Sequence, residues 1–214
     1  MNQNPVPPSS LRRGKLFVIA APSGAGKTSL VKALLDRMPQ LHVSISHTTR
    51  SKRPTEVAGR EYYFVPVAEF ERLVGRGEFL EHARVFDNYY GTAREPVEAQ
   101  LGKGNDVVLE IDWQGAQQVR NAMPEARTIF ILPPTRRALE ERLRNRATDS
   151  NEVIERRLRD AVGDMTHWRE FDYVVVNEDF EHAVTDLTRI VSGEGEDLRA
   201  ERPQLQPLLK GLLA

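Results

Sequence analysis

Apolar residues come in short bursts along this chain, separated by longer stretches with helical spacing. Gly14 to Ala20 is an apolar run after a polar arm and predicts a buried first strand. A glycine-rich turn follows. Thr28 to Met38 then sets Leu30, Val31, Leu34 and Leu35 at helical spacing, and Pro39 marks the end. Leu41 to Ile45 alternates and predicts a second strand. Asp106 to Ile111, Arg127 to Leu132 and Tyr173 to Val176 predict further buried strands. Arg94 to Leu101, Gln114 to Met123, Thr135 to Arg146, Glu152 to His167 and Phe180 to Val191 predict helices. Such alternation implies an α/β fold of three layers, a central parallel sheet covered on both faces. Ser46 to Tyr90 breaks the rhythm. It offers strands at Tyr62 to Val65 and Phe79 to Phe86, a helix at Ala68 to Val74, and reads as an inserted lobe.

The ends are less defined. Met1 to Ser10 holds three prolines and no basic run, so it reads as a flexible arm and is no secretory signal. From Gly193 the chain is polar, then carries Leu205, Leu208, Leu209, Leu212 and Leu213. These leucines predict packing, either on the core or on another subunit. Taken together, 1–13 reads as an arm, 14–192 as one domain and 193–214 as a tail. Within the domain, the core is 14–45, 93–135 and 158–192, the lobe 46–92 and a helical lid 136–157.

Composition removes several functions. With 30 basic and 31 acidic residues among 214, the net charge is −1. A general basic surface for nucleic acid is therefore not expected, although a local basic site is allowed. There is no cysteine, which excludes thiol nucleophiles, disulfides and thiolate metal sites. The run Leu16 to Ala21 is far short of the ~20 residues that span a bilayer. The five histidines have no metal-ligand spacing.

Chemistry first shows between the first strand and first helix. Ala21-Pro22-Ser23-Gly24-Ala25-Gly26-Lys27-Thr28 fits the phosphate-loop pattern, with Ala21 in the first glycine position. Gly24 and Gly26 let backbone N–H groups turn inward to phosphate oxygens, and the helix N-terminus adds positive potential. Lys27 supplies a point charge, and the Thr28 hydroxyl suits Mg²⁺. A nucleoside triphosphate is expected here, with Ser23 to Ser29 as its cradle. The reaction stays open.

A second anion site follows the second strand. Arg50, Lys52 and Arg53 fall within four positions, and two arginine forks suit one phosphate. Tyr62 adds an uncharged donor. On composition alone, a solvated charged loop explains the run as well.

The order of these residues decides between the two. Thr48 to Phe64 reads Thr-Thr-Arg-x-x-Arg-x-x-Glu-x-x-Gly-x-x-Tyr-x-Phe, which resembles the signature of guanylate kinases. Glu78 to Glu81, Asn88 to Thr92, Leu109 to Gly115 and Val176 to Asp179 are similar to stretches of that family, and the likeness runs from about Gly14 to Val191. The resemblance implies a phosphate-loop fold with an inserted GMP-binding lobe and a helical lid. It implies that Ser46, Arg50, Arg53 and Tyr62 hold the GMP phosphate, with Tyr90 close by. It implies that Glu81 and Asp112 read guanine, with Thr92 at O6. The chemistry agrees: guanine N1–H and its 2-amino group are donors, and adenine would leave buried carboxylates unpaired. Asn177 follows a strand end, where ligands sit in open α/β sheets, and the resemblance puts it near adenine.

Arg136 to Arg159 holds eight arginines and no lysine. Guanidinium forks suit a transferring phosphoryl group. The whole chain prefers Arg to Lys, 24 to 6, so several of these serve surface ion pairs. Spacing does not pick the catalytic ones; the resemblance points to Arg142, Arg146 and Arg157. It also implies a cytoplasmic enzyme that transfers the ATP γ-phosphoryl group to GMP or dGMP with Mg²⁺. Neither nucleic acid nor membrane is expected as a partner, and self-association is left open. Two other readings remain: a kinase for a different phosphorylated acceptor, and a non-catalytic module that binds phosphorylated peptides.

Overall fold

The computed structural model describes residues 12–85, 87–145 and 151–214. The chain begins with β1 (Leu16–Ala20), α1 (Lys27–Arg37), β2 (His42–Val43), β3 (His47–Thr48) and β4 (Tyr63–Phe64). Next come α2 (Val67–Gly75), β5 (Phe79–Val85), β6 (Asn88–Ala93), α3 (Arg94–Gly102) and β7 (Val107–Glu110). Then follow α4 (Trp113–Ala122), β8 (Arg127–Leu132), α5 (Arg136–Arg144) and α6 (Asn151–Met165). The chain closes with β9 (Tyr173–Val176), α7 (Phe180–Ser192) and α8 (Gln206–Leu213).

One sheet has the order β2-β7-β1-β8-β9 and is parallel throughout. Its strands β1, β7, β8 and β9 are largely apolar on both faces, as a doubly covered sheet requires, while the edge strand β2 is partly exposed. Along β1, Leu16, Val18 and Ala20 face one core, and Phe17 and Ile19 face the other. Leucines and valines of α3, α4, α5 and α8 fill the first core, together with Ile154 and Met165 of α6. Leu30, Val31 and Leu34 of α1 and Leu187 and Ile190 of α7 fill the second. This is the expected three-layer arrangement. Because the strands run parallel, the turns after β1, β7 and β9 emerge at one edge of the sheet, where ligands gather in open α/β folds.

The second sheet, β4-β3-β6-β5, forms the inserted lobe and is mixed. β3 runs parallel to β4 and antiparallel to β6. Phe70, Leu73 and Phe79 make its small core. The hydrophobic pattern did not predict β3 or β6. β3 has only two residues, and β6 carries the polar and aromatic sequence Asn-Tyr-Tyr-Gly-Thr-Ala. β3 pairs with β6, about 40 residues away, and β6 pairs as well with the preceding β5. The lobe docks through β5 on α4, where the Gln118 side chain accepts from the His82 backbone N–H at 3.1 Å and donates to its carbonyl at 2.8 Å.

The tail packs on the chain's own core. Leu205, Leu209 and Leu212 are buried against it, and Arg136 Nε donates to the Leu212 carbonyl at 2.7 Å. The stretch Glu152 to His167 ends its α-helix at Met165, and a 3₁₀ turn covers Thr166–Glu170. Among the described residues, no helix is long and apolar enough to cross a membrane.

Candidate active site

β1 delivers the chain into the phosphate loop. Gly24 and Gly26 both have positive φ, 89° and 96°, which L side chains rarely adopt. Gly26 has a second constraint: a Cβ there would lie 2.5 Å from Asn177 Nδ2. Lys27 Nζ donates to the Ile111 carbonyl at 2.7 Å, across the mouth of the loop. The Thr28 hydroxyl donates to Glu110 Oε1 at the end of β7. Behind the loop, Asn177 Nδ2 donates to the Ala25 carbonyl at 2.7 Å. Arg142 of α5 donates to the Asn177 carbonyl at 2.8 Å and approaches the Ala25 carbonyl at 3.5 Å.

The loop forms one wall of a cleft of about 350 Å³. The opposite wall comes from the lobe. Ser46, Arg50, Arg53, Tyr62, Glu81 and Tyr90 all line it, with Asp112 between the walls. Arg50 forms a two-pronged pair with Glu56, at 2.6 and 3.1 Å, and lies over the rings of Tyr62 and Phe64. Glu56 also accepts from the Arg53 backbone N–H at 2.7 Å, so one carboxylate shapes the whole basic loop. The bond to Arg50 holds the Glu56 carboxyl below the usual range. Burial pushes the Tyr62 hydroxyl up to about 12, so it remains a neutral donor.

Deeper in the cleft sit two carboxylates, Glu81 buried and Asp112 half-buried. Glu81 is 3% exposed, and it stands directly across the β5–β6 ladder from Thr92. The Thr92 hydroxyl donates to Glu81 Oε1 at 2.6 Å, and Ser46 Oγ lies 3.2 Å behind Thr92. Burial raises Glu81 to about 7; the Thr92 bond opposes this and the Asp112 charge adds to it. Asp112 caps α4, its Oδ1 accepting from the Gly115 N–H at 2.7 Å. Its other oxygen, Oδ2, is buried without a partner. Burial pushes the Asp112 carboxyl up as well. Gly115 lets the two acids approach, since a Cβ there would lie 2.4 Å from Glu81 Oε2. Asp112 Oδ2 thus lacks a donor, Glu81 is met by the Thr92 hydroxyl at Oε1, and both carboxylates line the one cleft. An unpaired buried acceptor is costly, so a ligand with two N–H donors on one edge satisfies the pocket.

The remaining expected residues are less central. Ser23, Gly24, Gly26, Lys27 and Thr28 line the cleft, while Ala25 is buried behind it and Ser29 is exposed on α1. Thr92 is fully buried behind Glu81, its hydroxyl turned to that carboxylate. Arg142 and Asn177 brace the phosphate loop from behind. Arg157 is half-buried on α6, away from the cleft lining. Arg146 lies outside the described residues. Four contributors had no role in the sequence reading: Glu56, Glu110 and Gly115, which lie within its motifs, and Asp164, which lies in none. Asp164 of α6 lines the cleft, accepts from Trp113 Nε1 at 2.9 Å, and is raised to about 6 by burial. The position of Glu110 at the end of a buried strand was a usable signal. Asp164 carries no local signal.

The chain is similar to known proteins over nearly its whole length. Residues 13–194 match the family model described as guanylate kinase. The chain is 53% identical to a guanylate kinase of Chromohalobacter salexigens, over 98% of this chain and 97% of that one. It is 54% identical to one of Methylococcus capsulatus, over 95% and 100% of the two chains. The crystal structure of a guanylate kinase from Anaplasma phagocytophilum superposes with a TM-score of 0.73 at 34% identity, covering 93% and 95%.

Proposed function

The chain belongs to the guanylate kinase family, and from that premise we propose which of its residues carry each part of the reaction. It is an ATP:GMP phosphotransferase: the γ-phosphoryl group of ATP passes to GMP, giving ADP and GDP. The observation that carries the assignment of residues is the pair of carboxylates lining one cleft, the buried Glu81 and Asp112 with its buried, unpartnered Oδ2.

Guanine binds with N1–H and its 2-amino group toward Glu81 and Asp112. Thr92 holds Glu81 in position from behind. Arg50, Arg53, Tyr62 and Ser46 bind the GMP phosphate, with Tyr90 beside Tyr62. Arginine forks fix its orientation for in-line attack. One acceptor phosphate oxygen bonds to the γ-phosphorus while the bond to the β–γ bridging oxygen breaks, and ADP leaves. The backbone of Ser23 to Thr28 cradles the donor phosphates, Lys27 leaves Ile111 to meet them, and Ser29 and Asn177 complete this side. Of the lid-region arginines, Arg142 acts through the phosphate loop that it braces, while Arg146 and Arg157 stabilise charge on the transferred group once the lid moves toward the cleft.

Mg²⁺ fits the donor set. The Thr28 hydroxyl and Glu110 carboxylate are hard oxygen donors beside the phosphate loop, which is the ligand type this ion takes. When bound, the ion neutralises phosphate charge. dGMP is also an acceptor in this reading, and the enzyme works in the cytoplasm. Formation of nucleoside diphosphate from ATP with GMP, AMP, UMP or CMP tests the assignment. GMP is expected to be preferred strongly, and equal rates for the four would overturn it.

A further inference from the structure

We propose that Asn177, braced by Arg142, is a positioning residue that aims the Gly26 N–H into the phosphate cradle by gripping the carbonyl of the same peptide. The inference rests on ATP phosphates occupying the loop. A trans peptide is planar, so its C=O and N–H point in opposite directions. The Ala25 carbonyl points away from the cleft and accepts from Asn177 Nδ2 at 2.7 Å. The Gly26 N–H, on the other side of that peptide, therefore points toward the cleft that Gly26 lines. Asn177 is a stiff anchor. It is 5% exposed, and its own N–H donates to the Leu132 carbonyl at 2.8 Å, which fixes it to the central sheet. Arg142 holds the Asn177 carbonyl at 2.8 Å and reaches toward the Ala25 carbonyl at 3.5 Å.

The chemistry demands an amide at this position. Asparagine supplies N–H donors to a carbonyl, whereas aspartate at neutral pH supplies none and would repel it. Without the grip, the Ala25–Gly26 peptide is free to flip, since glycine tolerates both signs of φ. A flipped peptide would turn a carbonyl oxygen toward the phosphates, and a donor would become a repulsive dipole. Asn177 thus acts on the phosphates through the backbone. The base-contact role drawn from the family resemblance makes a different prediction.

Inorganic triphosphate, which has no base, separates the two. Its binding and that of ATP are measured by calorimetry for the wild type and for Asn177→Asp, with Asn177→Ser as the second variant should the first not fold. Loss by about 10- to 100-fold is expected for both ligands alike, with KM for GMP unchanged. A loss confined to ATP means a contact with adenine and overturns the proposal. So does no loss at all. If the wild type itself fails to bind triphosphate while turning over ATP, the phosphate-loop reading beneath the proposal falls.

Discussion

Thr92 donates its hydroxyl to Glu81 Oε1 at 2.6 Å, across the antiparallel pair that the consecutive lobe strands β5 and β6 form. This bond holds down a carboxyl that burial otherwise raises. Thr92→Val keeps the shape and removes the donor. Glu81 should then be protonated over a wider pH range. KM for GMP should rise by about 10- to 100-fold, in line with loss of a hydrogen bond to a charged group. KM for ATP should stay near wild type, and steady-state kinetics with each substrate varied in turn checks both.

Glu81 also makes stability depend on pH. Its folded value is about 7, against 4.5 for an ordinary glutamate. Between these values the folded chain holds a proton that the unfolded chain has released. Stability from this group is full below the unfolded value and is lost as pH rises through the folded one. Asp112 shifts in the same direction. Urea unfolding without ligand should therefore show falling stability from pH 5 to 8, with a smaller slope in Glu81→Gln. If the proposed guanine contacts hold, GMP favours the ionised acids and its affinity should weaken as pH falls below about 7. An identical slope in the variant would remove Glu81 from this account.

Gly115 sets the spacing of the two acids. Its missing Cβ leaves the room that Glu81 Oε2 occupies, which a methyl group would invade at 2.4 Å. Gly115→Ala should displace the Glu81 carboxylate. Helix α4 should persist, because alanine is a better helix former than glycine. Titration with GMP should show affinity reduced by about tenfold or more, a loss comparable to that of one charged hydrogen bond. Affinity for inorganic triphosphate should be retained.

The tail belongs to the fold. Leu212 is fully buried, and its backbone carbonyl holds Arg136 at the start of α5. Leu212→Ala should cost about 2–5 kcal/mol, the usual range for a buried leucine. Chemical denaturation measures it. kcat at a temperature where the variant is folded should be close to wild type, since Leu212 does not line the cleft.

What the sequence revealed follows from how local each signal is. β8 and β9 fall on the predicted residues because a continuous apolar run between polar flanks has few other uses. The phosphate loop was legible because its glycines and Lys27 are adjacent in the chain. The lobe was seen as an insertion, yet β3 was not, because it has two residues and its partner β6 lies about 40 positions away, and β6 was not, because its polar and aromatic sequence hides its pairing with the preceding β5. The same limit hid Gly115 and Asp164. Gly115 matters because β5 brings Glu81 against it, and Asp164 because α6 brings it into the cleft near Asp112. Thr92 was singled out as a base contact, and the fold turns its hydroxyl onto Glu81. Asn177 was singled out too, and its side chain grips the phosphate loop.

The central claim is that Glu81 and Asp112 select guanine as charged acceptors. The most direct measurement is kcat/KM for GMP and for AMP in the wild type, Glu81→Gln and Asp112→Asn. The wild type should favour GMP by about 10⁴ or more, as sites built to hydrogen-bond one edge do. Each variant should lose most of that ratio through KM for GMP, with KM for ATP little changed. A ratio that survives both substitutions would contradict the claim.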